Sequence, residues 1–154
     1  MMFALILVFS IGCKKDEPQA NIQRKEIVGD ITSIEDEKLY VHESIVLNAL
    51  MEEDQKKIKE LNLTSEDMPS GIYHEQTGEK YEFTIGEKTT FILIDTRDNF
   101  DHNPENKEYK THSIEDLRKH LLNPKTGEIA TYPFLFIIDE STNEIIEARE
   151  IFVN

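Results

Sequence analysis

Only one cysteine, Cys13, stands in the 154 residues, and there is no tryptophan. A single cysteine excludes an internal disulfide, and it excludes zinc sites built on paired Cys or Cys/His spacing. The five histidines, His42, His74, His102, His112 and His120, are scattered, and no HExxH motif occurs. Nucleophile elbows of the GxSxG type, SxxK, GxGxxG and the P-loop are also missing, so covalent hydrolase chemistry and nucleotide binding have no motif behind them. Basic residues are few: 17 Lys and Arg against 31 Asp and Glu, a formal net charge of -14. A field of that sign repels phosphate backbones and excludes nucleic acid as a partner, while suiting cations and basic proteins. With so many carboxylates, some pair will always lie close, so proximity alone does not mark a glycosidase. No apolar run reaches the roughly 20 residues of a membrane-spanning helix.

What is present begins at the N-terminus. Residues 2–11 form an uncharged apolar stretch of signal-peptide length, followed by Gly12, Cys13 and then Lys14-Lys15-Asp16-Glu17-Pro18. An apolar run, a small residue and a cysteine resemble the lipobox of bacterial lipoproteins. In that class the thiol receives a diacylglyceryl group and the peptide is cut before the cysteine, which becomes the new N-terminus. The resemblance implies a signal peptide over 1–12, lipidation at Cys13, attachment to the bilayer and a location on the extracytoplasmic side of the cell membrane. Ser10 holds position -3, where the class usually carries an aliphatic residue, and no Lys or Arg precedes the run. From the residues alone, a buried segment with an inert thiol, an ordinary cleaved signal and a short anchor stay open. Residues 13–26 have no apolar periodicity after the cysteine and read as a flexible tether.

Residues 27–154 read as a single domain, since the chain is too short for two comfortable cores. IVGDITSIEDEKLYVHESIVL (27–47) predicts two strands about a turn at Glu35–Glu37, with Gly29 marking a bulge or bend. Residues 49–63 predict a helix burying a thin stripe of Leu50, Met51, Ile58 and Leu61. After a loop punctuated by Pro69 and Gly71, residues 72–96 predict a short strand, a second with Tyr81, Phe83 and Ile85 alternating, a turn at Gly86–Lys88 and a third over Thr89–Asp95. Residues 97–112 read as a polar excursion. HSIEDLRKHLL (112–122) predicts a helix capped by Ser113 with Asp116 in capping-box spacing, burying Ile114, Leu117 and Leu121. Residues 132–154 predict a hairpin turning at Glu140–Asn143 with a central first strand. The order implies an α+β fold: a small, mostly antiparallel curled sheet or partly closed OB-like barrel with two helices, one plugging an end. A flat sheet with both helices on one face is the alternative.

GDITSIEDEKLYV (29–41), DMPSGIYHEQ (67–76) and YPFLFIIDESTNEIIEAREIF (132–152) are similar to stretches of small, uncharacterised bacterial secreted proteins. That likeness implies one domain and says nothing of chemistry.

Two candidate sites emerge besides Cys13. The densest set of oxygen ligands lies in residues 95–106. There Asp98, Asp101, Asn103 and Glu105 could supply a calcium ion in a flexible loop, although the Gly and Glu of an EF-hand are replaced by Asn106 and His112. A solvated loop is the plainer reading. Pro69, Gly71 and Tyr73 could shape a binding edge, or simply a turn that starts a strand with Tyr73 packed inward. The expected function is a lipid-anchored, non-catalytic binding or accessory domain, with an envelope protein as a possible partner and no cofactor beyond possible Ca²⁺. An envelope hydrolase using acidic residues and a calcium-responsive surface module are the alternatives.

Overall fold

The computed structural model describes residues 23–152. Six strands and two short helices run in the order β1 (Arg24–Glu35), β2 (Lys38–Asn48), α1 (Gln55–Glu60, entered through a 3₁₀ turn, Glu52–Asp54), β3 (Ile72–Ile94), β4 (Glu108–Thr111), α2 (Ile114–Leu121), β5 (Pro133–Asp139) and β6 (Glu144–Glu150). The first strand therefore takes in Arg24, Lys25 and Glu26, which the sequence alone assigns to the tether: they pair with Asp139, Ile138 and Ile137 of β5.

The sheet order is β2-β1-β5-β6-β3-β4, and β2 also pairs with β3, so the sheet curls into a partial ring with β4 as an added edge. All neighbours are antiparallel except β3 and β6, which run parallel. The stagger is large. Arg24 faces Asp139, Asp139 faces Glu144, Glu144 faces Thr84, Thr84 faces Lys38 and Lys38 faces Glu35, so the walk returns to β1 eleven residues from its start. A shear of that size tilts the strands steeply, and a ring of only five strands encloses an interior that side chains fill. Phe91, Phe134, Phe136, Leu39, Leu93 and Ile145 fill it, and α2 adds Leu117 and Leu121. This is the α+β, OB-like curled sheet that the element order implies.

Local chemistry explains the elements. The turns at Asp36 and Asn143 use left-handed backbone, with φ of 50° and 58°, which Asp and Asn tolerate better than most residues. Ser113 caps α2 by accepting the Asp116 N–H at 3.1 Å. Gly29 is needed where β2 passes close, because a Cβ there would lie 2.6 Å from Val41 Cγ1 and 2.8 Å from the His42 carbonyl oxygen.

Four expectations need correction. The helix over 49–63 shrinks to the segment from Glu52 to Glu60 and buries nothing; Leu50 is 90% exposed. Asn48 and Asp54 hold its start open, accepting the Leu50 N–H at 2.9 Å and the Asn48 N–H at 2.7 Å respectively. Asn62, with φ of 56°, ends the helix, and the Leu63 N–H reaches back to the Ile58 carbonyl at 3.1 Å. The three strands read in 72–96 are one strand, β3. Gly78 and Gly86 lie inside it where pairing slips, between His42 and Ser44 of β2 and between Ile85 and Thr90 of β3, so these glycines are irregularities within a strand rather than turns. Finally, the polar excursion ends in β4, which zips Glu108–Thr111 to Phe91–Ile94. Tyr73, at the start of β3, is half-buried and its hydroxyl donates to Glu75, so it is not a core residue.

Candidate functional site

Three buried carboxylates mark the places where the fold does something more than pack: Asp30, Asp95 and Glu150, each faced by a histidine. Burying a carboxylate is costly unless donors replace its water, so each acid organises the groups around it.

Asp95 directly follows β3 and opens the loop flagged for calcium. Its Oδ2 accepts the Phe100 N–H at 2.7 Å and lies 3.2 Å from His102 Nδ1. Burial pushes this carboxyl up, but the N–H groups of Asn99 and Phe100 and the His102 ring outweigh burial and hold it below its ordinary value. The other acids of the loop serve its shape. Asp98 takes the Lys107 ammonium at 2.7 Å, and Asn103 Oδ1 accepts the Glu105 N–H at 3.0 Å. Asn103 also donates its N–H to the Glu108 carbonyl at 2.9 Å and accepts the Lys107 N–H at 2.8 Å. Asp101 and Glu105 are exposed. The structure does not gather Asp98, Asp101, Asn103 and Glu105 round one point, and among the described residues no three His, Cys, Asp or Glu side chains are placed to hold a metal ion.

Glu150, the last residue of β6, clamps helix to sheet. Its Oε2 accepts the Ile94 N–H at 2.8 Å and lies 2.7 Å from His120 Nε2 on α2. His120 Nδ1 is buried with no protein partner. Thr96, Arg97, His120, Tyr132, Glu150 and Phe152 line a cavity of about 90 Å³ beside the pair. Arg97 reaches over it to donate to the His120 carbonyl. A space of this size admits water or a very small solute.

Asp30 is fully buried in β1 yet lies out of phase with the core residues Ile27 and Ile31. His74 Nε2 lies 2.8 Å from its Oδ1 and Gln76 Nε2 donates to its Oδ2 at 3.0 Å, so the start of β3 folds over it. Its cross-strand neighbour is His42, and Ser44 stands opposite Gln76. His42 Nε2 and Ser44 Oγ are buried without partners.

A wider cleft, about 510 Å³, runs beside α2. Ile34, Leu121, Leu122 and Ile129 give it an apolar floor, and Arg118 and Lys119 stand on its rim. Arg118 pairs with Glu115 and donates to the Asp36 carbonyl at 3.1 Å, tying α2 to the β1–β2 turn. Lys119 sits over the Phe100 ring, 4.7 Å from its centre.

Spacing in the sequence carries no sign of these three acid–histidine pairs. The one hint is local: Asp30 is a lone acid inside the apolar run of β1. Cys13 lies outside the described residues. No helix among the described residues is long and apolar enough to cross a membrane. Comparison of the chain with protein-family models, with curated proteins and with solved structures finds no match.

Proposed function

We propose that the chain is a bacterial envelope lipoprotein, anchored through a diacylglyceryl group on Cys13 and displaying its OB-like domain on the extracytoplasmic side as a non-catalytic binding or accessory module. The observation that carries this is the setting of Cys13: the only thiol in the chain follows an apolar run and a glycine, and a charged tract begins at the next residue. A second feature supports it. The first strand begins at Arg24, eleven positions after that cysteine, a spacing long enough to set a domain clear of a membrane surface.

The cleft beside α2 is the binding face in this reading. It joins an apolar floor to Lys119 and to an Arg118 paired with Glu115 on the same lining, and it fits a partner with an acidic group beside an apolar surface, such as a segment of another envelope protein. Binding is favoured over hydrolysis because the three buried acids are already committed, Asp95 and Glu150 to histidines and backbone N–H groups and Asp30 to His74 and Gln76. The same commitments, with Asp98 on Lys107, favour it over a calcium-responsive module.

Intact-mass analysis of full-length protein recovered from bacterial membranes tests the anchor. The expected species starts at Cys13 and carries a diacylglyceryl group. Cys13→Ala is expected to abolish processing and acylation and to leave no lipid-modified protein in the membrane fraction. A wild-type chain that begins at Met1 and is unmodified at Cys13 would overturn the reading.

A further inference from the structure

Three of the five large hydrophobic side chains exposed among the described residues fall in one excursion, the connection from β2 to β3: Leu50 at 90%, Met51 at 45% and Leu61 at 39%. Scattered exposed apolar residues are ordinary, but several in one protruding segment mark a surface that meets something. The register says where this segment points. β1 and β2 are antiparallel, with Gly29 opposite Glu43, so β2 beyond Glu43 runs in the direction of the N-terminal end of β1, where Arg24 enters the sheet. The β1–β2 turn lies at the other end, with Arg118 and the cleft beside α2 held against it through Asp36.

We propose that the Leu50–Met51–Leu61 tip is a bilayer contact, laid on the membrane surface beside the anchor, and that the α2 cleft consequently faces away from the membrane. The inference rests on the lipoprotein reading and deepens it. Arg24 lies eleven positions after Cys13, and eleven steps of chain reach at most about 40 Å. That bound places Arg24, and with it the end of the sheet from which the tip projects, within about 40 Å of the headgroups. The tip has the chemistry of an interfacial rather than a spanning segment: Leu50, Met51 and Leu61 stand at the two ends of a short charged stretch that carries Glu52, Glu53 and Asp54 first and Lys56, Lys57, Lys59 and Glu60 after them. Mixed charge next to apolar side chains suits a zwitterionic surface, where neither sign is repelled. None of the tip's apolar residues is in the core, so contact with lipid takes nothing from the fold.

The test uses full-length protein, lipidated and reconstituted in phosphatidylcholine vesicles. With Cys13 acylated, Leu50→Cys supplies the one free thiol, and an environment-sensitive fluorophore is attached there; Glu37→Cys, in the β1–β2 turn, is the matched position at the other end. Intact mass first establishes the lipid on Cys13. The expected result is a blue-shifted emission at position 50 that lipids carrying a nitroxide quench strongly, with neither effect at position 37. On a chain whose mass shows the lipid, a water-like spectrum at both positions would overturn the bilayer contact and leave the anchor standing. A shielded but unquenched probe at position 50 would overturn it in favour of a protein covering the tip. An unmodified Cys13 would overturn the anchor and the bilayer contact together.

Discussion

At the scale of single residues, Asp95 gives the sharpest prediction. Its carboxyl sits below its ordinary value because two N–H groups and His102 outweigh its burial. A carboxyl depressed in the folded chain adds stability above its unfolded value of about 4, and that stability is lost as pH falls through the folded value. Asp95→Asn is expected to cost on the order of 2 kcal/mol at neutral pH. The gap between variant and wild type should shrink below about pH 4. Urea unfolding at pH 7 and pH 3 measures both; a gap that stays constant would mean that shape rather than charge is at work. The glycines offer a contrast. Gly29→Ala drives a methyl into Val41 and the His42 carbonyl and is expected to cost about 1–3 kcal/mol. Gly86→Ala meets only the end of the Glu144 side chain, which can swing aside, so its effect on the melting temperature should be much smaller.

At the scale of elements, α2 is held in three ways: a cap, a buried stripe and the His120–Glu150 pair. Leu117→Ala should cost about 2–5 kcal/mol, through lost burial and the cavity left behind. Ser113→Ala should cost about 1 kcal/mol. Leu50→Ala on α1's approach should cost almost nothing, since that side chain is 90% exposed. Chemical denaturation of the three variants ranks them, and a costly Leu50→Ala would contradict the described tip. These elements also show what can be read from sequence. Ser113 with Asp116, and the turns at Asp36 and Asn143, are legible because their chemistry is complete within four residues. The unity of β3 is not legible, because Gly78 and Gly86 look like turns until β2 and β6 are there to carry the strand through. The site is less legible still. Asp30 finds His74 and Gln76, 44 and 46 residues on, and His120 finds Glu150 30 residues on, whereas the acids dense in sequence at 95–106 mostly build their own loop.

At the scale of the whole molecule, the proposed anchor and bilayer contact give the domain a polarity, with the cleft at its far end. Strand β1 runs between its ends: the N-terminal entry and tip direction at one, the α2 cleft at the other. On the proposed reading, Cys13→Ala should change where the protein is found without changing its melting temperature, because the core of the described residues spans residues 27–148. A large drop in melting temperature in that variant would show that Cys13 packs against the domain.

The pairing of β1 with β5 also governs when the domain can form. Arg24 cannot meet Asp139, nor β3 its parallel partner β6, until nearly the whole chain is available. Contacts so distant in sequence close slowly, because the entropy of the long loop is lost before any pairing repays it. A chain still being synthesised thus has no complete sheet to close on. The ring that makes the finished domain compact is also a timer, since it cannot shut until its last strands have arrived.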